Sequence, residues 1–275
     1  MLLCYGYHTS FIYGGESRFD NMKGWYLGNS FDKVIDQEKF QNPNFVGTWG
    51  ICDEEVTQRA NKEFKSMYKK GEKFVTVMFS TSNHSPYDFP DGKIDLVENV
   101  AKKSVKNAVR YADYVIGAFI DQARKEDYYK DTIFVVVADH NIRVYGDALV
   151  PVRMFHIPGM ILSKDLKPLN YTKLATQPDL LATSLDLLGL DLEYPIMGNS
   201  IFNDKKQEIS LMQYYDAYAL RKKDKIAIVR PGKQAVSFKY ENEKLYPIKH
   251  EIELEKDALA FIIVLNDLYQ KKLYK

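Results

Sequence analysis

A chain of 275 residues with 45% hydrophobic content is long enough for one large domain or two small ones, and apolar enough for a substantial core. Its 38 basic and 37 acidic side chains nearly cancel, which argues against any general attraction to nucleic acid or to an anionic membrane and leaves recognition to local groups. Cys4 and Cys52 form neither a metal-type spacing nor a disulfide framework, and both are expected to be unpaired core or semi-core residues. The longest apolar stretch, residues 258–265, is far short of the ~20 residues that span a bilayer. The first residues lack a basic region followed by an apolar one, so the chain as written is expected to carry neither an export signal nor an anchor.

Residues 9–13 read as a short apolar strand running into Gly14-Gly15, and a helix is expected from about Glu16, because Asp20, Met22 and Trp25 follow without a breaker. Residues 53–69 carry Val56, Ala60, Phe64 and Met67 at helical spacing, giving one buried face on an otherwise charged helix that Gly71 ends. Residues 74–79 form a buried-type strand that leads into Ser80-Thr81-Ser82-Asn83-His84-Ser85-Pro86. A helical stripe of Val105, Ala108, Val109, Ala112, Ile116, Phe119, Ile120 and Ala123 follows. Residues 132–137 are a β-branched strand expected to be covered on both faces. Residues 155–162 read as another strand, and residues 177–188 as a helix whose Thr176 and Asp179 resemble an acidic capping box. Residues 217–240 alternate in hairpin fashion around Arg230-Pro231-Gly232-Lys233, and residues 254–273 close the chain as an amphipathic helix. This order predicts an α/β fold with a largely parallel, doubly wound sheet. No repeat or low-complexity linker interrupts it, and the change of pattern near Asn203 divides residues 1–203 from a β-rich subdomain at residues 204–275.

The strand at residues 132–137 ends in Ala138-Asp139-His140-Asn141, at the end of the strand where open α/β sheets gather their ligands. Carboxylate and neutral imidazole together suit a borderline divalent ion such as Mn²⁺ or Zn²⁺, although two ligands are too few to close a site. The plainer alternative is that Asp139 caps the next segment while His140 bonds locally. His84, set among small polar residues before Pro86, is expected to be exposed and able to donate to or accept from a phosphate ester near pH 7. Gly14-Gly15 lets backbone approach a ligand, and Glu16, Arg18 and Asp20 then place charges around the next turn, Arg18 being suited to a bidentate grip on phosphate or sulfate. Charges at a helix start also occur without function. Arg143 and Tyr145 are further anion-holding candidates. If the strands at residues 74–79 and 132–137 are parallel neighbours, all three loops emerge on one edge of the sheet. A different hydrolase is also legible: Gly15-Glu16-Ser17-Arg18-Phe19 follows a strand as a nucleophile elbow does, with Ser17, Asp139 and His156 in α/β-hydrolase order, but the second glycine is missing.

Three motifs in this order, residues 11–22 around Tyr13-Gly14-Gly15-Glu16-Ser17-Arg18-Phe19-Asp20-Asn21-Met22, residues 80–86 and residues 138–141, resemble the lipoteichoic-acid-synthase-like phosphoglycerol transferases of the sulfatase branch of the alkaline phosphatase superfamily. The resemblance continues through Thr176-Gln177-Pro178-Asp179-Leu180-Leu181-Ala182-Thr183. It implies a sheet of alkaline phosphatase type that is N-terminally incomplete here, followed by a small β-rich subdomain and a closing helix. It makes Asp139 and His140 two ligands of one divalent ion, Mn²⁺ before Zn²⁺, Mg²⁺ or Ca²⁺, and makes His84 the residue at the substrate phosphate. Glu16, Arg18, Asp20 and Arg143 become candidate substrate-binding groups. The implied substrate is an anionic lipid headgroup or another phosphate or sulfate ester, the implied place is the cell envelope, and no nucleic acid is involved. Members of the family supply an acidic metal ligand and a threonine nucleophile from an earlier half. Thr9, inside a strand, and Thr48, in a loop, lack that context, so a missing or separately encoded N-terminal half is expected, with a catalytically inactive metal- or anion-binding module as the alternative.

Overall fold

The computed structural model describes residues 2–190 and 197–273. The chain divides into two compact units, residues 1–132 and residues 133–275.

In the first unit, β1 (Tyr7–Tyr13) leads through α1 (Met22–Gly28) to β2 (Lys33–Ile35). The short pair β3 (Val46–Gly47) and β4 (Gly50–Ile51) follows, then α2 (Asp53–Lys69), β5 (Lys73–Phe79) and α3 (Val105–Ala123). β1 is the middle strand of a parallel sheet ordered β2-β1-β5, with Phe11 level with Val34 on one side and Val77 on the other. Phe11, Ile12 and Ile35 are fully buried, and α2 buries Val56, Ala60 and Phe64. Phe64 stacks on Phe74 at 4.9 Å, and beneath it the Tyr128 hydroxyl donates to Asn61 Oδ1 at 2.6 Å. Three carboxylates in the first turn of α2 oppose the positive end of its dipole, and Gly71 ends the segment with φ +71°. α1 starts at Met22 and not at Glu16, because Asp20 and Asn21 take φ values of 47° and 54°. Asp and Asn tolerate that left-handed region better than other side chains, so they can break a helix without a glycine or proline to announce it. The buried face of α3 runs through Ala108, Tyr111, Val115, Ile120 and Ala123, leaving Val109 of the expected stripe exposed. Fully buried Asn107 aligns that face by accepting from the Val97 N–H at 2.9 Å and donating to the Ala101 carbonyl at 3.0 Å.

The second unit begins with β6 (Phe134–Val137), antiparallel to β7 (Gly159–Leu162), and α4 (Gln177–Leu187). Five antiparallel strands follow, β8 (Ile209–Tyr214), β9 (Ala217–Lys222), β10 (Lys225–Val229), β11 (Val236–Glu241) and β12 (Lys244–Pro247), in the order β12-β11-β10-β9-β8. Their alternation works as it should: Leu220 and Ala227 pack under Leu254 and Ala258 of α5 (Ile252–Gln270), while Ala219, Ile226 and Ile228 face Val150, Val152 and Met212. The β10–β11 connection turns at Arg230-Pro231-Gly232-Lys233, with Gly232 at φ +65°. A parallel sheet, an antiparallel β-rich part and a closing helix are thus all present.

β6 pairs antiparallel with β7. One expectation about strands is corrected: neither β5 nor β6 is covered on both faces, since Val77, Phe79, Val135 and Val137 are exposed. Apolar composition records what a strand face is built to touch; the covering element has to come from elsewhere, and among the described residues none does so. Both cysteines are unpaired, as expected, but Cys4 is exposed and only Cys52 belongs to a core. Burial pushes the Cys52 thiol up to about 11. Native protein at pH 8 should therefore release one thiol to a disulfide reagent promptly, from Cys4, and the second only on unfolding; prompt release of two would contradict the packing around Cys52.

Candidate functional site

In the first unit the site grows from a close passage of backbone. Gly50, at φ +117°, sits where a Cβ would lie 2.2 Å from the Gly14 carbonyl oxygen, so only glycine lets the β3–β4 turn cross Gly14-Gly15. The Ile51 N–H seals the crossing by donating to that same oxygen at 2.9 Å. The crossing delivers Trp49. Its indole N–H donates to the Ser85 carbonyl at 2.7 Å, its ring lies 3.9 Å from the His84 ring between centroids, and Phe19 meets it edge-on at 5.2 Å. Trp49 therefore joins the two segments that the sequence singled out, residues 16–20 and residues 80–86.

His84 is exposed, with Nδ1 at 3.0 Å from the Ser85 carbonyl oxygen. A carbonyl only accepts, so Nδ1 carries the hydrogen and Nε2 is left for a ligand. The loop behind it is held by Asp53, the first residue of α2, a buried carboxylate that accepts from the Thr81 N–H at 2.7 Å, the Thr81 hydroxyl at 3.2 Å and the Ser82 N–H at 3.3 Å. Burial pushes the Asp53 carboxyl up, and those hydrogen bonds oppose the rise. Asp88 ties the other end, accepting from the Thr48 N–H at 2.9 Å and the Thr48 hydroxyl at 2.6 Å while pairing with Lys103 at 2.8 Å. Lys103 first, then Thr48, hold its carboxyl down at about 2.

Glu16, Arg18 and Asp20 are exposed around this loop, and Asp20 also lines an apolar cleft of about 210 Å³ with Phe11, Met22, Trp25, Tyr26 and Phe79. Ser17 is 1% exposed and donates to the buried carboxylate of Asp36. A nucleophile elbow presents its serine to solvent, so the α/β-hydrolase reading fails at this residue.

In the second unit Asp139 and His140 follow β6 and are both exposed. Asp139 Oδ1 accepts the His140 N–H at 2.8 Å, and the imidazole Nδ1 lies 2.6 Å from the Asn141 carbonyl. That carbonyl again fixes the hydrogen on Nδ1, which leaves the Nε2 lone pair 3.4 Å from Asp139 Oδ2. A carboxylate oxygen and a neutral imidazole nitrogen whose other ring atom is bonded to a carbonyl are donor types that divalent ions accept. They are a partial set: among the described residues no group of three or more His, Cys, Asp or Glu side chains converges. Gln177, the first residue of α4, clamps the loop by donating from Nε2 to the Ala138 and Asp139 carbonyls, each at 2.8 Å. Its own position is set by Asp179, which accepts from the Thr176 N–H at 2.8 Å and the Thr176 hydroxyl at 3.0 Å in the expected capping box. Arg143, Tyr145 and His156 are exposed in the same unit.

The sequence from residue 2 to residue 190 matches the family described as Sulfatase. The chain belongs to the sulfatase family. A solved structure from Vibrio parahaemolyticus, described as a protein in the alkaline phosphatase superfamily, is 37% identical, superposes with a TM-score of 0.95, and is matched over 100% of this chain and 68% of its own. The lipoteichoic acid synthase LtaP of Listeria monocytogenes, 21% identical, shares the fold with a TM-score of 0.80 over 99% of this chain and 72% of its own. Among curated proteins, phosphoglycerol transferase I of Escherichia coli strain SE11 is 26% identical over 151 residues, which are 49% of this chain and 19% of the relative. The match therefore spans about a fifth of the length of these curated relatives. Among the described residues no helix is long and apolar enough to cross a membrane.

Sequence reasoning missed Trp49, Asp53, Asp88 and Gln177, the residues that hold the loops. The signal was there for Asp53 and Gln177, each the first residue of a helix that follows a turn, where a polar side chain is free to serve a neighbouring loop. Nothing local marks Asp88 or Trp49 as partners of residues some 35 to 40 positions away. Two outcomes follow. Asp53→Ala leaves buried N–H groups of Thr81 and Ser82 without an acceptor, at about 1–3 kcal/mol for each orphaned donor, and should lower Tm by roughly 5 °C or more; an unchanged melt would show that the loop is held by other means. Because the Asp88 carboxyl is depressed from 3.8 to about 2, its stabilisation is present above 3.8 and is lost as pH falls through about 2. Asp88→Asn should flatten the stability curve across that interval, and a curve parallel to that of the parent protein would refute the assignment.

Proposed function

We propose that this chain carries part of the catalytic site of a metal-dependent phosphoglycerol transferase acting on anionic phosphate esters, with phosphatidylglycerol as donor. The observation that carries the reading is the Asp139–His140 pair, with its imidazole Nε2 directed beside the carboxylate, in a chain of the sulfatase family. Curated relatives named phosphoglycerol transferase I supply the substrate class. Asp139 and His140 would hold a divalent ion, Mn²⁺ first among those that suit the donors, which when bound supplies charge for a nucleophilic oxygen and for the oxygens on phosphorus. His84 Nε2, in its protonated form, donates to a non-bridging oxygen of the substrate or gives its proton to the departing diacylglycerol oxygen. Arg18 and Arg143 are exposed guanidinium groups that would grip the phosphate, and exposed Glu16 and Asp20 would accept from glycerol hydroxyls.

In this reading a threonine oxygen from outside residues 1–275 forms the new bond to phosphorus as the bond to diacylglycerol breaks, and an acceptor hydroxyl later resolves the intermediate. Thr9, Thr48 and Thr81 are engaged: Thr9 is buried and donates to Asp32 at 3.0 Å, Thr48 donates to Asp88, and buried Thr81, within the His84 loop, donates to the Ile51 carbonyl at 2.9 Å. Work at the cell envelope goes with the same reading. The second reading, a metal- or anion-binding module without turnover, is favoured by the fact that only two metal-type side chains come together among the described residues.

The test is calorimetric. Mn²⁺ titrated into the chain should give a binding heat that His140→Ala and Asp139→Ala each remove, and unchanged heat in either variant would overturn the ligand assignment. With Mn²⁺ present the chain alone should leave bis(4-nitrophenyl) phosphate uncleaved. Cleavage that His140→Ala abolishes would place a nucleophile within these residues.

A further inference from the structure

Lysine is seldom buried, yet the side chain of Lys206 is 3% exposed. Its ammonium has three partners: it pairs with Asp179 Oδ2 at 3.2 Å and donates to the Leu174 carbonyl at 2.9 Å and the Gln207 carbonyl at 3.3 Å. Two residues on, Glu208 accepts the Leu174 N–H at 3.1 Å, so the N–H and the carbonyl of one residue just ahead of α4 are both held by side chains from the approach to β8. Gly198 closes on the same helix start, where a Cβ would lie 2.1 Å from the Pro178 carbonyl oxygen, and the Asn199 N–H reaches Asp179 Oδ1 at 2.8 Å. These contacts converge on residues 174–179. Within that stretch stands exposed Gln177, whose Nε2 holds the carbonyls of Ala138 and Asp139. Stability alone does not explain the arrangement, because a buried ion pair gains little over apolar side chains of the same volume and its best-attested use is to fix geometry.

We propose that Lys206 and Gln177 are positioning residues for the Asp139–His140 pair: the buried ammonium sets the start of α4, and Gln177 passes that setting to the loop that carries the two donors. The proposal rests on the reading above of that pair as metal ligands, and adds what keeps them in place before an ion arrives. Gln177 acts on main chain. With the Ala138 and Asp139 carbonyls held, and the Ala138 N–H donating to the Pro158 carbonyl at 3.2 Å, the loop has already given up backbone freedom that ion binding would otherwise cost.

Mn²⁺ titration calorimetry on the whole chain, and amide hydrogen exchange without metal, test it together. Gln177→Met keeps the length of an exposed side chain and removes its donor. It should weaken Mn²⁺ binding roughly 10- to 100-fold, the range for groups that orient metal ligands. It should also speed exchange of the His140 amide by about threefold or more while β9 and β10 amides keep parental rates, since the opening is local. Lys206→Met should do the same. It leaves Asp179 buried without its cation, so Lys206→Met combined with Asp179→Asn takes its place if the single variant does not fold. Joined to Gln177→Met, the lysine change should add little, because both act along one path. Parental affinity and exchange in Gln177→Met, or a fall in affinity without faster His140 exchange, would overturn the proposal. Faster exchange throughout β9 and β10 would reduce the role to overall stability and overturn it as well, and fully additive losses would break the route from Lys206 through Gln177. If the parent chain takes up no Mn²⁺, faster His140 exchange in the variants keeps the positioning and removes the metal reading; Mn²⁺ binding that neither variant weakens does the reverse.

Discussion

The carboxylate of Asp53 is the constraint on which the first unit's site depends. It stands at the start of α2, where the helix dipole favours negative charge, and it spends its acceptor capacity on the backbone of Thr81 and Ser82, at the exit of β5. Two of these hydrogen bonds come from backbone N–H groups and a third from the Thr81 hydroxyl, so the start of the loop is held mainly through its main chain. That frees residues 83–85 to face solvent with His84 at the tip. Burying a carboxylate is costly unless it is satisfied, and here the donors that satisfy it are the ones the loop needs fixed. Trp49 then closes the arrangement from the other side through Ser85, and Gly50 is the residue that lets it arrive.

The second unit solves the same problem with a different side chain. Gln177 holds two successive carbonyls with one amide, so the backbone of residues 138–139 is fixed by a neutral group that leaves the Asp139 carboxylate unencumbered by an ion pair to a cation. The charge is instead kept behind α4. Asp179 and Lys206 form a pair whose side chains are 5% and 3% exposed, with Lys206 also donating to the Leu174 carbonyl at 2.9 Å and Asp179 accepting the Asn199 N–H at 2.8 Å. Such a pair repays its desolvation only when the remaining donors and acceptors are satisfied, as they are here, and its gain is in the fixed geometry of the helix start.

What the sequence disclosed follows from how local the cause was. α2, α3, α4 and α5 were legible because period, caps and breakers act within a few residues, and so was the hairpin at Gly232. The start of α1 was not, because Asp20 and Asn21 take left-handed backbone that Asp and Asn tolerate without a glycine or proline to announce it. The antiparallel pairing of β6 with β7 was not legible, because a strand of four residues carries no information about which edge finds a neighbour. His84, Asp139 and His140 were legible as candidates because each stands in a polar loop after a strand. The residues that hold them are ordinary carboxylates, an amide and an indole whose partners lie some 28 to 40 positions away, beyond what spacing can reveal.

In each unit the same division of labour appears. The groups with chemistry to offer, His84, Arg18, Asp139, His140 and Arg143, are exposed, and Nδ1 of each of the two histidines meets the carbonyl of the next residue, which leaves Nε2 for a ligand. The groups that set the backbone, Asp53, Asp88, Gln177 and Asp179, are committed to two or more partners. Two such donors on a fixed loop would hold a divalent ion weakly, because affinity rises with the number of donors already in place.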